Sequence, residues 1–158
     1  MSYIKFAFII LIVAAGMQAT AQKKRATKVQ AVTKFKAPKL QTFLGSYKDS
    51  AGVSATEAAN LIATPLKITD AKKNEYSISS YQFVYKKRGV TEDEKTEKIS
   101  PVTTISADRF KVSPLPAVWV NTIQQQLKPG EEFFFFDVIA KDAQGRVMYA
   151  PNLKITIL

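Results

Sequence analysis

The sequence predicts an α+β domain, a mainly antiparallel β-sheet or β-sandwich-like fold of about six strands with one short and one longer helix. Three observations point there. The segments Tyr76 to Tyr85 and Phe133 to Ala140 place apolar side chains at the period of a strand. Leu115, Val118, Trp119, Ile123 and Leu127 recur at the three- and four-residue spacing of a helix. The 158 residues are 46% hydrophobic and 23% charged, the profile of one globular domain and not of a disordered or collagen-like chain.

Leu40 to Leu44 is a short strand and Gly45 to Gly52 a polar turn region. Ser54-Ala55-Thr56-Glu57 is a capping box that opens a helix running to about Ala63, before Pro65. That helix presents Ala58, Leu61 and Ile62. In the next strand the apolar side chains fall at Tyr76 and Ile78, then at Tyr81, Phe83 and Tyr85. A period of two that changes parity needs one inserted residue, which places a β-bulge at Ser79-Ser80. Lys86 to Gly89 and Glu92 to Glu94 form an exposed hairpin tip, and Ile99 to Ile105 is the returning strand, set at an edge or beside a bulge by Pro101. Ser113-Pro114 supplies the first residues of the longer helix, whose apolar stripe ends at Lys128-Pro129-Gly130. In Phe133 to Ala140 the even positions, Phe134, Phe136, Val138 and Ala140, form the core face. Phe133 and Phe135 then need a second cover, either the Trp119 helix or a partner's surface. Gly145 gives the Asp142 to Arg146 hairpin loop its positive φ, and the last strand sets Val147, Tyr149, Leu153, Ile155 and Ile157 on one face.

Residues 1–21 have the three-part layout of a secretory signal peptide: Lys5, an apolar run from Phe6 to Met17, and small residues at Ala19 and Ala21. The run of 12 residues rises about 18 Å, against roughly 30 Å of bilayer hydrocarbon, which favours cleavage after Ala21 over a retained anchor. The chain is thus expected to be exported, most simply to the periplasm, with an extracellular location open. Residues 22–39 form a basic flexible arm with Lys23, Lys24, Arg25, Lys28, Lys34, Lys36 and Lys39 and no acid. Residues 40–158, the single folded domain, carry 15 basic and 13 acidic groups, so the net charge of +10 belongs mostly to the arm and signal. Such an arm suits a solvated tail or an electrostatic tether to an anionic envelope surface. No helix carries the basic stripe of a nucleic-acid binder.

With no His and no Cys, imidazole triads, thiol nucleophiles and His/Cys metal sites are excluded. The sequence offers no phosphate-binding glycine loop and implies no cofactor, metal or catalytic residue. Glu92, Asp93, Glu94, Glu97 and the Glu131-Glu132 pair occupy loop and strand-start positions with nothing to raise a carboxyl pKa. Asp137, alone among apolar neighbours, is the one acid of note, either an edge-facing or ion-paired structural residue or a site. Phe133, Phe135 and the edge around Pro151 are the candidate partner contacts. Tyr76, Tyr81, Tyr85 and Trp119 are the alternative, stacking platforms for a glycan or peptidoglycan.

The second half of the chain resembles the C-terminal periplasmic domain of the GldM family of gliding-motility and type IX secretion proteins. The resemblance lies in Leu127-Lys128-Pro129-Gly130 before a Phe-rich strand, then Asp137, Ile139-Ala140-Lys141, Gly145-Arg146 and the closing Leu153, Ile155, Ile157 strand. Ser80 to Val84, Asp108-Arg109-Phe110 and Gly52-Val53-Ser54 fit the same layout, so it spans roughly residues 50 to 157. It implies a β-sandwich-like domain serving protein contacts in the cell envelope, without catalysis. An envelope protein is the implied partner, and a homodimer is left open.

The arm generates a first test. Its binding to anionic vesicles or cell-wall sacculi weakens sharply from about 0.1 to 1 M salt, as the Debye length falls from about 10 to about 3 Å. Deleting residues 22–38 abolishes co-sedimentation and leaves thermal unfolding almost unchanged. Salt-independent sedimentation, or a large loss of stability, overturns the electrostatic reading.

Overall fold

The structure, a computed structural model, describes residues 35–158. Leu40, Thr42 and Leu44 are buried on one side of the first strand, β1 (Leu40–Leu44), as their alternation requires. The chain turns at Gly45, whose φ of 59° and whose missing Cβ, which would sit 2.7 Å from Leu61 Cδ2, both call for glycine. The stretch expected as a polar turn then contains two short strands, β2 (Tyr47–Lys48) and β3 (Ser50–Val53). β2 folds back on β1 across Gly45-Ser46 and β3 pairs with the distant β9, and no local apolar alternation announces either.

Helix α1 (Ala55–Leu61) begins as the capping box indicates, with Ser54 Oγ accepting the N–H of Glu57 at 3.3 Å. The reciprocal half of the box is replaced, because Glu57 Oε1 accepts from the Tyr47 hydroxyl at 2.5 Å. Ala58, Leu61 and Ile62 are buried. A further strand, β4 (Leu66–Asp70), follows and pairs with all of β1. Its end is fixed by Asp70, whose carboxylate accepts N–H groups from Lys72 and Asn74, the Asn74 amide and the Tyr76 hydroxyl. The Asn74 amide foremost holds this carboxyl below its usual pKa.

Strand β5 (Glu75–Glu92) carries the inferred bulge: Ile78 pairs with Ala140 and Ser80 with Ile139, leaving Ser79 extra. It continues through Lys86–Gly89, so the hairpin tip is shorter than expected and the charged residues lie on a strand. The return strand β6 (Ile99–Phe110) is correspondingly longer than the sequence suggests, and Pro101 does lie on an edge. Helix α2 (Ala117–Gln126) starts three residues beyond Pro114. Leu115 precedes Pro116 and is therefore pushed out of the helical region, so the turn cannot form earlier. Val120 and Ile123 are its buried residues, while Val118 is 69% exposed.

Strand β7 (Glu132–Lys141) departs most from expectation. Phe133 and Phe135 are buried, whereas Phe134 and Phe136 are half-buried and stack on each other at 5.2 Å. Beyond Asp137 the parity switches and Val138 and Ala140 turn inward. Gln82 pairs with Phe136 and Ser80 with Ile139, so β7 holds an extra residue here, and Asp137 sits at φ 47°. After the Gly145 turn (φ 78°) come β8 (Val147–Ala150) and β9 (Leu153–Ile157), two strands where one was expected. Met148 and Ala150 are buried and Val147 and Tyr149 exposed, so parity also switches at Pro151-Asn152, across from the β7 bulge.

The strands form one mainly antiparallel sheet in the order β2-β1-β4-β5-β7-β9-β3, with β6 added to β5 and β8 to β7; only β3–β9 is parallel. Because β2 and β3 end this order yet are separated in the chain by Asp49 alone, the sheet curls into a nearly closed barrel. Phe83 sits at the centre of its interior, with ring centroids 4.9 Å from Phe135, 6.0 Å from Phe133 and 5.8 Å from Trp119. Phe35 lies outside the barrel, its ring 3.7 Å from the Arg146 guanidinium, an exposed contact of about 0.5–1 kcal/mol.

Two tests follow from this interior. Phe83→Ala leaves a cavity among three aromatic rings and lowers the unfolding free energy by about 3–5 kcal/mol, read from urea denaturation. Burial pushes the Tyr81 phenol up from 10.0 to about 12, and burial together with the Glu131 carboxylate raises Tyr85 further. Both pKa values are higher folded than unfolded, so their contribution is complete below pH 10 and lost as pH rises toward 12 and above. The urea midpoint should therefore fall steadily above pH 10, with cooperative phenolate absorbance on unfolding, and Tyr81→Phe should shallow that fall.

Candidate functional site

Strand β5 pairs with β7 only as far as Lys86, while its pairing with β6 runs on to Glu92–Ile99. The outer half of this hairpin therefore leaves the barrel as a two-stranded ribbon. Among the described residues β6 pairs with β5 alone, so its other edge is free along its length. Backbone parity then dictates which groups that edge presents. A proline inside a ladder turns its missing N–H outward, so Pro101 sets the odd-numbered residues of β6 to face away from β5. The Arg109 N–H agrees, since it is bonded to the Asp108 carboxylate at 2.7 Å instead of to β5.

An exposed strand edge invites pairing, and proteins blunt it with proline or locally satisfied amides. Here both devices stand at the ends. Pro101 has no donor and Arg109's is occupied, which leaves the N–H and C=O groups of Thr103, Ile105 and Ala107 as an open window of five residues. Beside that window is a groove of about 500 Å³ between β6 and α2. Tyr85, Trp119, Val118 and Ile123 give it apolar walls, Ser106 and Thr122 add hydroxyls, and Lys87 adds a cation. Ile105, Ser106 and Ala107 all line it, so the groove reaches the backbone edge itself.

The walls are firmly placed. Trp119 is packed edge-on against Phe83 and Phe110, at 5.8 and 5.4 Å. The Tyr85 hydroxyl donates to the buried carboxylate of Glu131, which also accepts the Lys128 N–H at 3.1 Å. Lys87 Nζ donates to Gln126 Oε1 at 2.7 Å and lies 5.4 Å from the Tyr85 ring centroid. Among the described residues it forms an ion pair with no carboxylate. Helix α2 has no charged residue at all, which makes Lys87 the one formal charge lining the groove.

The residues singled out from the sequence fall elsewhere. Phe133 and Phe135 are 0% and 1% exposed and cannot meet a partner; their cover is the barrel interior, where Phe83, Tyr81 and Tyr85 pack on them. Pro151 is exposed, but it joins β8 to β9, its carbonyl accepting from Thr42 Oγ1 at 2.6 Å, and it does not line the groove. Lys23, Lys24, Arg25, Lys28 and Lys34, with the signal segment, lie outside the described residues; Lys36 and Lys39 are exposed. Tyr81 and Tyr85 are each 1% exposed and offer no stacking platform, Tyr76 is half-buried with its hydroxyl on Asp70, and Trp119 presents only part of its ring. Asp137 is structural: it accepts from Gln82 Nε2 at 2.7 Å and faces Arg109 at 3.9 Å across the bulge. Glu132 is likewise engaged, held below its usual pKa by Lys154 first and Lys86 second. The sequence reading missed Lys87, Ile105, Ser106 and Thr122. Pro101 was the available signal, because it fixes both the edge and the parity of β6.

No protein-family model matches this chain, and no curated protein matches it.

Proposed function

We propose that this chain is an exported, non-enzymatic module of the cell envelope that binds another protein by strand addition to β6. The open window at Thr103, Ile105 and Ala107, flanked by blunted ends and lying beside an apolar groove, carries this reading. Main-chain hydrogen bonds to an exposed edge supply affinity, and a side-chain pocket beside it supplies selectivity. The acids of the domain support the non-enzymatic part, since Asp70, Asp137 and Asp142 serve turns and a bulge and Glu131 anchors a tyrosine. The signal-like leader and the resemblance to the GldM family support the envelope setting, in the periplasm and near a secretion or gliding apparatus. The basic arm adds attachment to anionic envelope surfaces.

Ile105→Pro tests the reading, because it removes an outward N–H while leaving the β5 ladder whole. A photo-crosslinking residue at Ala107 in the exporting cell should give one discrete protein adduct. That adduct should disappear with Ile105→Pro or with the groove-filling Thr122→Trp, and persist with Tyr149→Ala on the exposed face of β8. Adducts indifferent to both groove and edge variants rule out strand addition.

A further inference from the structure

The chemistry of the captured segment can be read from the window, given the strand-addition reading above. Side chains directly opposite one another across strands share a face, so Lys87–Thr104 and Tyr85–Ser106 are two rows on the groove side of the sheet. A strand added to β6 extends each row by one residue. The residue opposite Ser106 continues the Tyr85 row, and its side chain enters the groove against Trp119 and Val118, where only an apolar group matches the walls. The residue opposite Thr104 continues the Lys87 row. Its backbone lies about 9.5 Å from that of Lys87, two strand spacings away, a gap that a lysine and a carboxylate side chain span together.

At the other end of the window the row Phe83–Asp108 puts a carboxylate on the same face. An acid there would meet Asp108 and be repelled, while an acid at the Thr104 end meets a cation that no carboxylate of the described domain engages. The electrostatics therefore give the segment a direction. Antiparallel pairing is the more stable and commoner mode, and it runs the added strand from Asp108 toward Thr104.

We propose that β6 captures an extended, antiparallel segment of the pattern apolar-x-acidic, its apolar side chain seated against Trp119 and Val118 and its carboxylate on Lys87. Strand β6 of a second copy does not meet this pattern. Antiparallel self-pairing centred on Ser106 would bring Asp108 near Lys87 but offer only a serine to the groove. The seven cations of residues 22–39 come with no acid, so the arm does not meet it either.

Two capped peptides of identical composition test the assignment, Thr-Lys-Thr-Leu-Thr-Glu-Thr and its charge-reversed partner Thr-Glu-Thr-Leu-Thr-Lys-Thr, titrated into the isotopically labelled chain and followed by amide shifts. The first peptide should perturb Thr103, Ile105 and Ala107 and bind roughly three- to fivefold more tightly than the second, the range expected of a partly exposed ion pair. Lys87→Met, which removes the cation, and Gln126→Glu, which supplies it with an internal carboxylate, should each reduce the preference to the part owed to Asp108, the double variant Lys87→Met/Asp108→Asn should erase it, and Lys87→Arg should keep it. Equal binding of both peptides at the window overturns the proposed pattern and leaves strand addition standing. Shifts that spare residues 103–107 with every peptide, or β6 shifts that grow with protein concentration alone and accompany a dimer in sedimentation, overturn both.

Discussion

A strand alternates its faces residue by residue, and this constraint decides how the barrel interior can exist. The apolar sets of β5 and β7 both change parity partway, and each does so through one extra residue, Ser79 in β5 and one beside Asp137 in β7. The two bulges flank the same pair, Ser80 with Ile139, so the register lost in one strand is regained in the other. Only with both present do Ile78 and Tyr81 approach the same interior as Val138 and Phe135. Bulges also sharpen local twist, which a sheet needs if it is to curl round toward closure. The strained Asp137 backbone is tolerated because Gln82 and Arg109 hold its carboxylate from the neighbouring strands.

From that pairing follows the shape of the exposed edge. The interior uses β5 only up to Tyr85, where the last buried ring meets Phe133 and Glu131. The strand nonetheless continues with β6 for company, and burial along it ends abruptly after residue 85. A β-ribbon that buries little gives the fold little stability, so its length and the open amides of β6 are not explained by packing. Its ends are defended against edge pairing and its middle is not, which separates this edge from one merely left over by barrel closure.

Much of this was legible in the residues. Ser54 and Glu57 located α1, the parity change around Ser79 located the bulge, and Pro101 located the edge, each through a local rule that tertiary contacts did not override. What failed was decided at a distance. Phe133 to Phe136 are four identical side chains, so periodicity could not say which pair faces inward; the bulge at Asp137 decides it, and its partner lies on another strand. β3 is four residues long and exists because β9, at the far end of the chain, pairs with it. The groove was invisible for a related reason: Lys87, Ser106 and Trp119 come from three elements, and Lys87 reads as a solvated tip until the strand is seen to pass through it.

The buried carboxylate of Glu131 ties the interior to the groove. It fixes the Tyr85 ring through the hydroxyl and the Lys128 amide directly, while the backbone of Gly130 and Glu131 is bonded to both polar groups of Ile157. Tyr85 is a core residue that closes the groove from beneath. Trp119 is at once a core residue and the wall on which an incoming side chain would rest, its inner edge packed on Phe83 and Phe110 while part of the ring stays accessible. A surface built from core residues cannot rearrange without disturbing the barrel, so the ordering cost of strand addition falls on the incoming segment and little on this chain. Selectivity then rests on what a rigid edge can measure: the alternation of the segment, the size of one apolar side chain and the sign of the charge two residues on.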